Sequence, residues 1–431
     1  MRSPLPTPVD RAEGRAVWLA AAGFFCLMCG YYMLRPIREA MALEVGRERI
    51  QILFTAVLLV SSAILPLYWW VVARIPRRWL LTIVYLPFTV LFAGLAAGLT
   101  LNPGAKALAF VYFVTLSSFN LFLISVFWSS MADVWRPEAA KRLFGYVAGG
   151  GSAGALLGPL LVNASIEMTG PTPLILLACG FILLTILLVG AVRLTLRTGH
   201  PQDRVPDRSE VVGGRAIDDM RRLIRTPYML GIAALIIAGQ TIGAFMYSEQ
   251  ARYVESAYAS LAERAALFSR MEIAVSLLAL FFQVVVVGWL TRIGSLRTSL
   301  SAMPILIGAT FVLLALFPLG AVLLVTQVIR RAADYGLGKP PREVLFTVLA
   351  PESKFKSKSL IDTVLQRGAD AASQWLYTAI AGLGLAGIAW VCAGISLLLV
   401  QATRSLAGAF EQRSQQAEPA PTPAARASAQ A

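Results

Sequence analysis

Arg35 and Arg38 stand about one helical turn apart at the end of a charge-free apolar run, Ala16–Leu34. At that spacing two guanidinium groups can hold one phosphate or carboxylate. Pro36 between them lacks a backbone N–H, so the helix is expected to bend or break there and free a carbonyl for a ligand. The alternative role for both arginines is interfacial anchoring on the far side of a membrane. Arg330, Arg331 and Asp334 share a later apolar stretch, with Arg330 and Asp334 on one face at i,i+4. In the next stretch Asp362, Gln366 and Asp370 form a stripe, and Arg367 is within reach of Asp370 at i,i+3. An ionised side chain in mid-membrane costs about 2.5–3.5 kcal/mol on insertion scales, so these charges either line a polar pathway or clasp helices together. Glu249 and Glu272, toward the outer end of the second half, are candidates for a proton relay.

About twelve apolar stretches position these residues, each roughly 17–25 residues long, the length a helix needs to cross about 30 Å of hydrocarbon. They fall near 16–34, 50–73, 79–99, 107–131, 143–163, 172–192, 228–248, 267–290, 299–317, 319–337, 359–382 and 384–401. Hydrophobic residues make up 57% of the 431 and charged residues 14%, so lipid is the expected solvent. Most of the 38 lysines and arginines fall in linkers of one parity, the linkers that share a side with both termini. The positive-inside rule then makes the termini cytoplasmic, and the expected location is the inner membrane of a cell. The first run is too long for a signal-peptide core and is expected to stay as the first span.

The net charge of +14 is explained by those short basic loops rather than by a nucleic-acid partner. Cys26, Cys29, Cys179 and Cys392 all lie inside apolar stretches and read as small packing residues, although Cys26 and Cys29 form a C-x-x-C. A single histidine, His200, leaves no His-based triad or multi-histidine metal site. No span carries a nucleophile–base pair, so an enzyme is not expected, and no cofactor or metal is called for. Gly150, Gly154 and Gly158 recur every fourth residue, a face that lets a neighbouring helix come close. A glycine-rich phosphate loop is the sharper alternative for Gly149–Gly154, but no strand precedes it.

The expected organisation is a polar N-terminus (1–15), a six-helix bundle (16–194), a basic cytoplasmic linker (195–226), a second six-helix bundle (227–403) and a disordered cytoplasmic tail (404–431). A faint echo between Ala73-Arg74-Ile75-Pro76 and Thr291-Arg292-Ile293-Gly294 supports duplication. Two parallel six-span halves are the major facilitator plan, an all-α membrane fold.

Three segments resemble one family more closely. Phe127-Trp128-Ser129-Ser130-Met131-Ala132-Asp133, followed by Glu138-Ala139-Ala140-Lys141-Arg142-Leu143-Phe144-Gly145, resembles the fourth-to-fifth span signature of the ATP/ADP antiporters. These are nucleotide transporters of plastids and obligate intracellular bacteria, with a major facilitator-like fold. Leu34-Arg35 with Arg38-Glu39 is similar to that family's Leu-Arg-x-x-Lys-Asp, and Lys356-Ser357-Lys358, Ile361-Asp362 and Arg367 resemble its Lys-Gly-Lys…Val-Asp…Arg segment. The resemblance implies exchange of an adenine nucleotide. Arg35, Arg38, Lys141, Arg142, Lys358 and Arg367 would be the cations of the path or its gates, and Glu39, Asp133 and Asp362 their partners. Two departures stand out. Asp370 occupies the place of a lysine, and the Trp-Lys that should follow Glu249 is missing.

The expectation is a secondary carrier, monomeric in the bilayer, working by alternating access on a small anionic solute, nucleotide first. Arg35, Arg38, Arg330 and Arg367 would hold the solute, and Asp334, Asp362 and Asp370 would pair with these arginines when the site is empty. A proton-coupled exporter of a non-nucleotide compound and a non-transporting membrane sensor are the rival expectations.

Overall fold

The computed structural model describes residues 11–135, 137–199, 226–293, 295–345 and 364–417. Helices account for nearly all of them, and no strand occurs among the described residues. In lipid a backbone can satisfy its polar groups only within a helix or a closed barrel, and these apolar stretches take the helical solution. In chain order the helices are α1 Arg11–Val45, α2 Ile50–Arg74, α3 Arg77–Leu101, α4 Lys106–Ala132, α5 Pro137–Thr169, α6 Pro171–Gly199 and α7 Pro227–Ala257. Next come α8 Leu261–Phe281, a π turn at Phe282–Val286 and α9 Val287–Ile293, then α10 Leu296–Leu316 and α11 Gly320–Ala333. A second π turn at Asp334–Gly338 leads into α12 Lys339–Leu345, and α13 Gln366–Ile380 and α14 Gly384–Ala417 complete the chain.

Ten of these segments are long and apolar enough to cross a membrane. One of the ten, Gln366–Arg413, contains two expected stretches that meet at the 3₁₀ turn Ala381–Leu383 and Gly384. At φ 67° that glycine has a left-handed backbone that a Cβ would strain. The expected stretch 319–337 is not among the ten. It runs helically from Gly320 to Leu345, but Arg330, Arg331, Asp334, Lys339 and Arg342 interrupt its hydropathy.

The chain divides into two compact units: Met1–Gly213 with Gln250–Leu277, and Gly214–Glu249 with Leu278–Ala431. The end of α7 and most of α8 therefore group with the first unit. Within that unit α1 is the hub, packed on α4, α5 and α6. Burial follows from that position: 72% of the most apolar window of α1 is buried, against 22% for α2, whose Leu59, Leu67 and Trp70 are exposed. Those side chains need no aqueous partner if lipid covers them. In the second unit α10 packs on α14.

The glycine-rich segment is interior helix with a close-packed face, as its four-residue repeat predicts. Two expectations are corrected here. Pro36 neither breaks α1 nor ends it, because the helix continues to Val45 with Ala40, Met41, Ala42 and Leu43 all buried around it. The tail does not begin at 404: α14 runs to Ala417, Leu406 and Ala407 pack with Tyr228, Ile232 and Leu345, and Arg413 lies over the Tyr228 ring at 4.5 Å. Residues 418–431 and most of the expected linker lie outside the described residues.

Candidate functional site

In the first unit, α1 carries Arg35, Arg38, Glu39 and Glu44 past its apolar run. Arg35 Nη1 lies 3.4 Å from Glu272 Oε2 of α8, and its guanidinium stands over the Tyr32 ring at 5.6 Å. Arg38 pairs with the neighbouring Glu39, donates to Ser117 Oγ of α4 at 3.4 Å and faces the Phe113 ring at 5.3 Å. The Leu34 carbonyl accepts from the Tyr112 hydroxyl at 3.2 Å. Both guanidinium groups are largely buried, at 13% and 14% side-chain exposure, and each is held between an aromatic face and a carboxylate. Such a setting keeps the charge in place while leaving its acidic partner exchangeable for another anion.

Farther toward the end of α1, Glu44 pairs with Arg264 at 3.0 Å, and Arg264 Nε donates to the Tyr258 carbonyl. Just past α1, Arg47 pairs with Glu255 at 3.1 Å. The other expected cations of this unit sit elsewhere. Asp133 closes α4, and Arg142, exposed at the start of α5, pairs with Glu13 at 3.2 Å. Glu13 and Arg35 are 22 residues apart on one helix, roughly 33 Å of rise, so the structure separates Asp133 and Arg142 from Arg35, Arg38 and Glu39. Lys141 belongs to the same turn of α5 as Arg142.

In the second unit the polar side chains converge on one seam. Gln240 of α7 donates to Asp370 Oδ1 of α13 at 2.7 Å, and Arg367 Nη1 lies 3.8 Å from the other oxygen of Asp370. One residue on along α7 and about one turn on along α13, the Thr241 and Ser373 hydroxyls share a hydrogen bond of 2.9 Å. Gln374 accepts from Ser248 at 2.6 Å and donates to the Ala244 carbonyl at 3.2 Å, and Tyr377 donates to Glu249 at 2.9 Å. Partners advance in step along α7 and α13, so the two helices run parallel. Arg330 donates from Nε to Gln327 one turn before it, at 2.8 Å, rather than to Asp334. Asp334 opens the π turn, and its backbone N–H still bonds the Arg330 carbonyl, so the i,i+4 register between the two residues is kept. Lys358 and Asp362 lie outside the described residues.

A profile of the Major Facilitator Superfamily matches residues 20–354, more than three quarters of the chain. The chain belongs to the major facilitator superfamily. Solved structures agree at the level of fold. A mutant of a peptide transporter, POT, superposes with a TM-score of 0.65 at 15% identity, covering 92% of this chain and 95% of that one. A POT family transporter in complex with 5-aminolevulinic acid gives 0.62 at 13% identity, over 92% and 96%. A nucleoside transporter gives 0.57 at 13% identity, over 92% and 99%. A comparison with curated protein sequences finds no match. This facilitator is a multi-pass membrane protein and a secondary transporter of small solutes. The matches reach the superfamily and do not extend to the ATP/ADP antiporters.

Sequence reasoning missed Gln240, Ser373, Gln374 and Tyr377 in this facilitator, because a single polar residue in an apolar run carries no signal until its partner about 130 positions away is known. It also missed Glu44, Arg47, Glu255 and Arg264, which read as ordinary loop-end charges. The antiparallel order of acids and bases in 44–47 and 255–264 was the available signal. Glu272 was read as a proton-relay candidate, and the structure adds its pairing with Arg35.

Proposed function

We propose that this facilitator carries a small anionic solute across the inner membrane by alternating access, in exchange for a second anion, and that adenine nucleotides are the first solutes to test. Both termini would face the cytoplasm. The observation that carries the reading is the pair of largely buried guanidinium groups on one turn of α1, Arg35 and Arg38, each paired to a carboxylate and backed by an aromatic ring. A buried cation without a counter-charge is costly, so an incoming anion would replace Glu272 or Glu39 one for one. Arg330 and Arg367 are the corresponding cations of the second unit. The resemblance of Leu34–Glu39 and Phe127–Gly145 to the nucleotide exchangers supports nucleotides as the first choice. Labelled ATP should enter proteoliposomes faster when they are preloaded with ADP. Folded protein that exchanges no nucleotide would overturn the nucleotide assignment.

A second reading rests on Asp370. A carboxylate held by Gln240 and Arg367 stands where the nucleotide exchangers carry a lysine, and it disfavours a triphosphate with about four negative charges. Under this reading the solute is smaller or less charged and its movement is coupled to protons. Transport that ignores nucleotides and collapses with an uncoupler would select it.

A further inference from the structure

We infer that Gly243 of α7 is a positioning residue: it seats the Arg330 guanidinium as an open, end-on receptor for one anionic group of the solute, a carboxylate or a phosphoryl. A Cβ built on Gly243 would stand 3.3 Å from Arg330 Nη1 and 3.9 Å from its Cζ. The guanidinium of α11 therefore lies against bare backbone of α7, a place that a side chain would take from it. Three residues earlier on the same helix, Gln240 holds Asp370, and Arg330 is within electrostatic reach of that carboxylate without pairing to it.

The hydrogen bonds of Arg330 leave one particular edge of the group unused. An arginine carries five N–H donors. Nε–H goes to Gln327 Oε1 at 2.8 Å, and among the described residues neither Nη1 nor Nη2 has a partner. The fork made by Nε with a terminal nitrogen is thus engaged, while the fork made by Nη1 and Nη2 is open. Its parallel N–H groups match two oxygens of one carboxylate or phosphoryl group. Asp334 does not fill the fork, since its Oδ1 lies beside Gly338, 3.3 Å from where a Cβ would be. Arg35, Arg38 and Arg367 are paired to Glu272, Glu39 and Asp370, whereas Arg330 has no carboxylate of its own. A cation within a span is costly without a counter-charge, and an arriving anion relieves that cost. Resting on the carrier reading above, Arg330 would take one anionic group of the solute and Gly243 would aim it.

Phenylglyoxal condenses with the two terminal nitrogens of an arginine, so peptide mapping of the treated, purified protein reads the open fork without any transport assay. Arg330 should be modified, and acetate at about ten times its Kd should slow that modification about tenfold. Inorganic phosphate is the second probe, and whichever anion protects at the lower concentration names the group. Acetamide, which has the shape of acetate and no charge, should protect little. Gly243→Ala, which pushes Nη1 aside by a few tenths of an ångström, should weaken protection about twofold, and Gly243→Val should abolish it. Gly239→Ala, one turn earlier, where a Cβ meets nothing within 4 Å, should leave protection unchanged and so separates aiming from mere loss of a helix glycine. The inference is overturned if Arg330 stays unmodified, if neither anion protects it, if acetamide protects equally, or if Gly243→Ala is protected as fully as wild type. Protein that passes this test yet exchanges no solute would overturn the carrier reading alone.

Discussion

Two parallel helix seams, one in each unit, solve the same packing problem by opposite means. Between α1 and α5 the solution is the absence of side chains. A Cβ at Gly150 or Gly154 would collide with the carbonyl oxygens of Ala21 and Phe25, and one at Gly158 would fall 2.6 Å from the Cys29 carbonyl oxygen. The backbones touch, with room for neither water nor an ion. Between α7 and α13 side chains fill the gap and satisfy one another: Gln240 with Asp370, Thr241 with Ser373, Ser248 with Gln374, and Tyr377 with Glu249. A glycine seam can only open or stay shut. A polar seam can trade one of its partners for a solute group or a proton. The difference sets a seam closed by backbone contact in the first unit against a seam built of paired polar side chains in the second.

Substitutions can break or sharpen this contrast. Gly154→Leu should leave no monodisperse protein after purification, while Gly154→Ala should lower stability by about 3 kcal/mol in detergent unfolding, because the backbones must separate. Recovery of both at wild-type stability would end the close-contact account. Arg367→Ala should cut exchange by about a hundredfold at unchanged expression, since it removes the cation paired with Asp370; poor folding of this variant would instead make the cluster a structural clasp. A double-mutant cycle on Thr241→Val and Ser373→Ala should give a coupling of only about 0.6 kcal/mol, the usual worth of such a bond within a membrane. Gly149→Ala should be silent to within about 0.5 kcal/mol, because a Cβ there meets nothing within 4 Å. The contrast between Gly149 and Gly154 asks whether position on the seam, rather than glycine content, matters.

Much of the fold was legible because its rules are local. The apolar run lengths report membrane crossings, and the four-residue glycine repeat marked the close-packed face before its partner was known. The tenth stretch was legible as a helix, but the π turn at Asp334 was not, since periodicity assumes the regular repeat that the turn breaks. The site was legible in part. Arg35, Arg38, Arg367 and Asp370 announce themselves by carrying charge within apolar surroundings, and the Arg367–Asp370 contact follows from helix spacing. The partners across helices were not legible: nothing in Glu272 names Arg35, and nothing in Ser248 names Gln374, because pairing depends on which helices become neighbours. The partner of Arg142 was not legible for the same reason, since its motif does not reveal Glu13, at the opposite end of α1 from Arg38.

The central claim is that the guanidinium groups at the end of α1 receive the solute's negative charge. The most direct measurement is thermal unfolding of the purified protein with ATP or with uncharged adenosine, in wild type and in Arg38→Gln. ATP at a hundredfold excess over its Kd should add about 2.7 kcal/mol to wild type. Adenosine should add much less, and Arg38→Gln should lose most of the ATP effect. No ATP stabilisation of wild type, or an equal stabilisation of Arg38→Gln, would contradict the account.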